Sequence, residues 1–310
     1  MNQITAVVTT LLHYKAVVRD TLEYTLPRDS YDVNVYKEKK RAILVELEEP
    51  TPLKNILQNS GDNGKNLEKI IRDFHEQVYG DSSTILKAAE DGLRVDHAQH
   101  LAIFKPVLQI HENVEMMIGG LIRDAKSKGV DVARVEEVDR AEERLYRAVS
   151  YLSLTAHLVK LFQDYNQARR EAKGEETPAS RFIGNDIQET VQGLNTIRAH
   201  SHLTDERYNG VQDKVFMLID FMTGRRDLPM GKGFPQVIQE TQDAIMGYVR
   251  EVEPAYHQAY DPLVRELAEE AAKNGNKIVP DGTAGGEAPA EPQEAEIEGE
   301  IDPKTGLPRA

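Results

Sequence analysis

Apolar residues recur at alternating steps of four and three through Ile103, Val107, Ile110, Val114, Met117 and Leu121. That is the period of a helix laying one stripe against a neighbour. After the polar break Lys126-Ser127-Lys128-Gly129, a second stripe runs Val138, Leu145, Leu152 and Val159 at steps of seven. Ala141, Ala148, Thr155 and Phe162 follow three residues after each. Seven-residue spacing suits near-antiparallel or supercoiled packing. Residues 96–173 are therefore expected to form a long antiparallel helical hairpin. Neither glycine nor proline interrupts Asp131 to Lys173, and Glu136 with Arg140 and Glu143 with Arg147 place acid before base one turn apart. The second arm would be about 60 Å long. Apolar residues on most sides between Val149 and Phe162 predict that other helices surround that half. The charged half, Arg134 to Arg147, is expected to protrude. Pro106 reads as a helix start near Lys105 and Gly119-Gly120 as a tight-packing spot, with a kink and a hinge as the alternatives.

Around the hairpin, Ile4, Val7, Leu11, Val18 and Leu22 give a helix ended by Pro27. Residues 31–48 read two ways: Tyr31, Val33 and Val35 alternate as in a small β-hairpin, while Val33, Tyr36, Ile43 and Leu47 suit a helix. Thr51-Pro52 opens a short helix, and Ser60 to Lys65 is expected to be a loop. Leu67, Ile70, Phe74 and Val78 form the next apolar face, and Ser82 to Thr84 caps a helix through Leu93. Beyond the polar linker Lys173 to Ser180, one helix carries Phe182 or Ile183, Ile187, Val191, Leu194 and Ile197. The next carries Tyr208, Val211, Val215, Leu218 and Met222. A loop from Gly224 to Phe234 leads to a helix with Val237 or Ile238, Thr241, Ile245, Tyr248 and Val252 facing inward. Pro254 is expected to kink or end it, and Asp261-Pro262 to open a last helix. The fold class is all-α, an elongated bundle built on the hairpin, in four segments: 1–95, 96–173, 174–274 and 275–310.

Composition narrows the chemistry. The sequence has no cysteine, which excludes disulfides, thiolate metal sites and cysteine nucleophiles. The formal charge of −14 disfavours binding to nucleic acid. Residues 275–310 hold eight acidic and three basic residues, a net of −5, which leaves −9 for the remainder. With few large aliphatics, that acidic tail is expected to be disordered. Its end, with Leu307, Pro308 and Arg309, has the form of a short recognition peptide or a plain solubilising terminus. The first residues lack the basic start of a signal peptide, and no stretch reads as a membrane span, so a cytoplasmic location is expected, a virion component being compatible.

Histidines are the natural place for metal in such a chain. His97 and His100 share a helical face, and folding the hairpin about Gly129 brings His100 level with His157. His111 with Glu115, and His257 with Asp261, are pairs four apart. His200 and His202 with Asp205 do not match a metal-binding loop. No Glu-x-x-His occurs, so the ligand repeat of di-iron bundles is missing, and hydrogen-bonded or solvated histidines are the competing reading. The basic, glycine-rich loop from Gly224 to Gly233 offers Arg225, Arg226 and Lys232 to an anion or to an acidic partner. It lacks the order of a nucleotide-binding loop. Glu136-Glu137 and Glu142-Glu143 sit among arginines on what reads as a solvated face. No cofactor signature and no serine-nucleophile turn occur. The reading is a non-enzymatic structural or adaptor protein working through protein contacts and self-association. The alternatives are a histidine metal bundle and an anion-binding protein.

Overall fold

A computed structural model describes residues 3–22, 52–59, 61–80, 83, 87, 97–199 and 205–273. Among the described residues there are eight helices, α1 (Gln3–Asp20), α2 (Pro52–Asn59), α3 (Gly61–Tyr79), α4 (His97–Ser127), α5 (Ala133–Glu171), α6 (Pro178–Ala199), α7 (Glu206–Met222) and α8 (Phe234–Lys273). No strand occurs among the described residues. The expected β-hairpin at 31–48, the tail and, apart from Ser83 and Lys87, the helix through Leu93 lie outside them. The chain divides into a unit of Met1–Pro280 and a second, Asp281–Ala310, none of whose residues is described. No helix among the described residues is long and apolar enough to cross a membrane.

The breaks between helices follow local chemistry. Gly129, at φ 70°, closes α4, with the amide of Val130 bonded to the Ala125 carbonyl at 3.0 Å. This left-handed closure costs glycine nothing. Asp131 then accepts from the Ala133 amide at 3.0 Å and opens α5. At the end of α5 it is Lys173, at φ 53°, that takes the left-handed closing position, and the amide of the following Gly174, at φ 91°, bonds to the Arg169 carbonyl at 2.7 Å. Thr177 and Ser180 exchange reciprocal side-chain bonds to each other's amides at 3.1 and 2.9 Å, with Pro178 as the first residue of α6. That is a capping box with proline where its missing N–H is harmless.

Pro106 and Pro262, expected at helix starts, depart from the sequence reading, and Pro254 does not end its helix. Pro106 lies inside α4, and Pro254 and Pro262 lie inside α8, which runs unbroken for 40 residues. A helix-interior proline costs about 3 kcal/mol. Ile103, Phe104 and Val107 around Pro106 are all buried, as are Val252, Tyr256, Leu263 and Val264 around the other two. Each such side chain returns about 1.5–3 kcal/mol on burial, so packing outweighs the break. Gly61 to Lys65 is likewise helical rather than loop, with the acidic Asp62 in the first turn suiting a helix N-terminus. Gly119 and Gly120 are not a tight-packing spot: a Cβ on Gly120 would meet nothing within 4 Å, and one on Gly119 only the Arg123 side chain.

The core is continuous over all eight helices. Val138, Leu145, Leu152 and Val159 are buried as the seven-residue spacing requires, together with Ala148 and Thr155. The principal neighbours of α5 as a whole, however, are α8 and α6 rather than α4. The principal neighbours of α4 are α1 and α3. The arms α4 and α5 pass level at two points, where His100 stacks on His157 and His111 stacks on Tyr146, with ring centroids 3.9 and 3.8 Å apart. Helix α1 contacts α4, α5 and α8, and the charges it carries into that space define the interior site.

Candidate functional site

Four turns into α1, Lys15 is fully buried and Arg19 nearly so. Lys15 Nζ pairs with Glu115 of α4 and, at 3.3 Å, with Asp139 of α5. Arg19 pairs with Glu142 of α5, itself fully buried, and with its neighbour Asp20 at 2.9 Å. The Arg19 guanidinium also lies 4.6 Å from the centre of the Tyr256 ring of α8. The charged half of α5 thus does not protrude. Asp139 and Glu142 point inward, and Arg147, also buried, pairs with Glu143 and donates to the Ile197 carbonyl of α6. Glu136 turns to Lys126 across the α4–α5 turn.

The electrostatics explain how two cations survive there. Burial works against the Lys15 ammonium, but Asp139, Glu115, Glu143 and Glu142 outweigh it and hold its pKa above the ordinary value. Arg19 is likewise held charged, burial being overcome by Glu142 and Asp20. Burial raises the Glu142 carboxyl against the pull of Arg19 and Lys15. At Asp139 burial again outweighs Lys15, with Glu115 adding repulsion, and the carboxyl is pushed up to about 6. His111 donates from Nε2 to the Lys15 carbonyl at 3.0 Å. Burial, with Lys15 and Arg19 nearby, lowers its pKa well below the ordinary value and keeps the ring neutral. His13 Nδ1 lies 2.6 Å from the Tyr260 hydroxyl, and burial depresses its pKa too.

Asp139 gives a pH signature whose sign is fixed. Its folded pKa exceeds the unfolded 3.8, so between those values the folded chain holds more protons than the unfolded one. Stability from this group therefore falls as pH rises from about 4 through about 6. His13 and His111 act oppositely below their unfolded value, so the comparison must be differential. The stability of Asp139→Asn relative to wild type, measured by urea unfolding, is expected to rise by about 2–3 kcal/mol between about pH 4 and pH 7. A difference that stays flat or falls would mean that Lys15, not burial, dominates at Asp139.

The histidine cluster is placed as follows. His100 and His157 are buried with parallel rings, 2° apart in tilt, and His100 Nε2 lies 3.0 Å from Ser153 Oγ. A metal takes the in-plane lone pair of an imidazole, and face-to-face stacking keeps those of the two rings parallel, not convergent. The His97 side chain, His200 and His202 lie outside the described residues. His111 and Glu115 both turn to Lys15, and His257 with Asp261 is a surface pair at 3.3 Å. Among the described residues no three His, Asp or Glu side chains form a group able to hold a metal.

In the basic loop, Gly224 and Gly231 take left-handed conformations. The amides of Arg225 and Arg226 are bonded to the Asp220 carbonyl at 2.9 and 3.2 Å, so they are not offered to a ligand. Lys232 is held by both oxygens of Glu240 at 2.7 and 2.6 Å. Arg225 and Arg226 are exposed, and neither meets an acidic side chain among the described residues. Leu307, Pro308 and Arg309 lie outside the described residues. Comparison of the chain with protein-family models, with curated proteins and with solved structures gives no match.

Proposed function

We propose that the protein is a non-enzymatic helical structural or adaptor protein that acts through protein contacts and self-association, with the loop 224–234 as the contact. The observation that carries this reading is the loop's surface. Met230 is fully exposed, Phe234 is 40% exposed, and Arg226 stands between Gly224 and Met230 without an acidic partner among the described residues. Methionine, aromatic residues and arginine are the types enriched where protein surfaces meet. The rest of the chain supplies the complement, since residues 1–274 carry a net −9. The buried charges suit a scaffold, since Lys15 and Arg19 of α1 are matched by carboxylates of α4 and α5 and tie the three helices together.

The mass of the full chain in solution, measured by light scattering at low and high concentration, tests this. Wild type is expected to reach a defined multiple of the chain mass. Met230→Asp combined with Arg226→Glu is expected to return it to a single chain with unchanged helical content. A single chain for wild type at every concentration, or a variant that assembles as wild type does, overturns the proposal.

A further inference from the structure

Phe162 of α5 and Ile187 and Val191 of α6 belong to the inward stripes of their helices, yet each is only half-buried. They lie where α5, α6 and the end of α7 leave a groove of about 490 Å³. That volume falls within the range of about 300–1,000 Å³ typical of small-molecule sites. Tyr165 and Gln192 supply polar groups along it, and Arg225, at the start of the basic loop, lines it as well. Arg225 is the sole charged residue among those lining the groove. An apolar trough with one cation and no acid selects by charge for a ligand with an apolar body and a single anionic head.

We propose that this groove binds a small amphiphilic carboxylate, its hydrocarbon body on Phe162, Ile187 and Val191 and its carboxylate on the Arg225 guanidinium. The guanidinium fork matches a carboxylate in two parallel hydrogen bonds. The apolar body removes from water the half-exposed faces that the helices leave uncovered. This assignment is independent of the contact through Met230.

Calorimetric titration of the full chain with decanoate, and with decan-1-ol as the uncharged analogue, tests it. Decanoate is expected to bind about tenfold more tightly than decan-1-ol. Arg225→Gln is expected to abolish that preference, and Met230→Asp to leave it unchanged. Gly184 provides the blocking variant, because a Cβ there meets only Tyr165 Cε2 at 3.8 Å, an ordinary contact. Gly184→Leu can therefore fill the groove while keeping the helix, and it is expected to remove binding of both compounds. Thermal unfolding of both variants should match or exceed wild type, since Arg225 is exposed and leucine is a better helix former than glycine. Absence of decanoate binding, equal affinity for the two compounds, or unchanged binding in Gly184→Leu overturns the proposal. Binding of an acidic amphipathic peptide where decanoate does not bind also overturns it, in favour of a protein occupant.

Discussion

Glu142→Ala is expected to cost the fold about 3–5 kcal/mol, measured as a fall in the urea midpoint with unchanged slope. Both partners of the pair it breaks are buried, and the change leaves the Arg19 cation in the interior with only Asp20 and the Tyr256 ring beside it. Desolvation of a buried charge left with Asp20 as its one carboxylate partner, not loss of one attraction, sets that cost. Replacing both members with apolar residues of similar length, Arg19→Met with Glu142→Met, removes the charge problem with the pair. The double variant is expected within about 1 kcal/mol of wild type or above it. A Glu142→Ala cost below about 1 kcal/mol would show that the pair is solvated in solution. A double variant as unstable as the single would show that the pair itself, and not its desolvation, stabilises the bundle.

Tyr208→Ala is expected to be nearly as damaging, at about 3–5 kcal/mol. Tyr208 of α7 is fully buried between Tyr151 of α5 and Tyr248 of α8, with ring centroids 6.0 and 6.1 Å away. Its hydroxyl lies 3.2 Å from that of Tyr151. Tyr248 in turn donates to Asp205 at 3.3 Å, and Asp205 caps α7 by accepting from the Arg207 amide at 2.9 Å. One ring thus joins three helices and borders the cap of its own. Tyr208→Phe keeps the ring and loses the hydroxyl contact, for an expected cost of about 1 kcal/mol. Equal losses in the two variants would place the stabilisation in the hydroxyl rather than in packing.

The helices themselves were legible because each apolar stripe repeats at a helical period, as with Tyr208, Val211, Val215 and Leu218, all of which are buried. The match in level of His100 and His157 was legible too, since a turn at Gly129 fixes it by simple counting. What periodicity cannot show is which stripe meets which. The seven-residue stripe of α5 is a helix-packing signal, but it names no partner, and the main neighbours of that helix are α8 and α6. The same gap hid the interior charges. Glu142 is fully buried because Arg19, more than a hundred positions earlier, reaches it. Within its own neighbourhood it resembles any glutamate on a solvated face. A usable signal did exist in α1: Lys15 and Arg19 fall one turn apart, among the buried residues Leu11, Leu12, Val18 and Leu22. Cations on an apolar face call for acids from elsewhere. Pro106 and Pro262 were misleading as helix starts because a local penalty says nothing of the packing that offsets it.

Amide hydrogen exchange of the full chain at low and at high protein concentration tests the central claim most directly, because it locates contact residue by residue. Self-association through the basic loop predicts that amides of residues 224–234 gain protection as concentration rises, an effect that Met230→Asp with Arg226→Glu abolishes. Unchanged exchange in 224–234 at every concentration, or new protection confined to other helices, would contradict it.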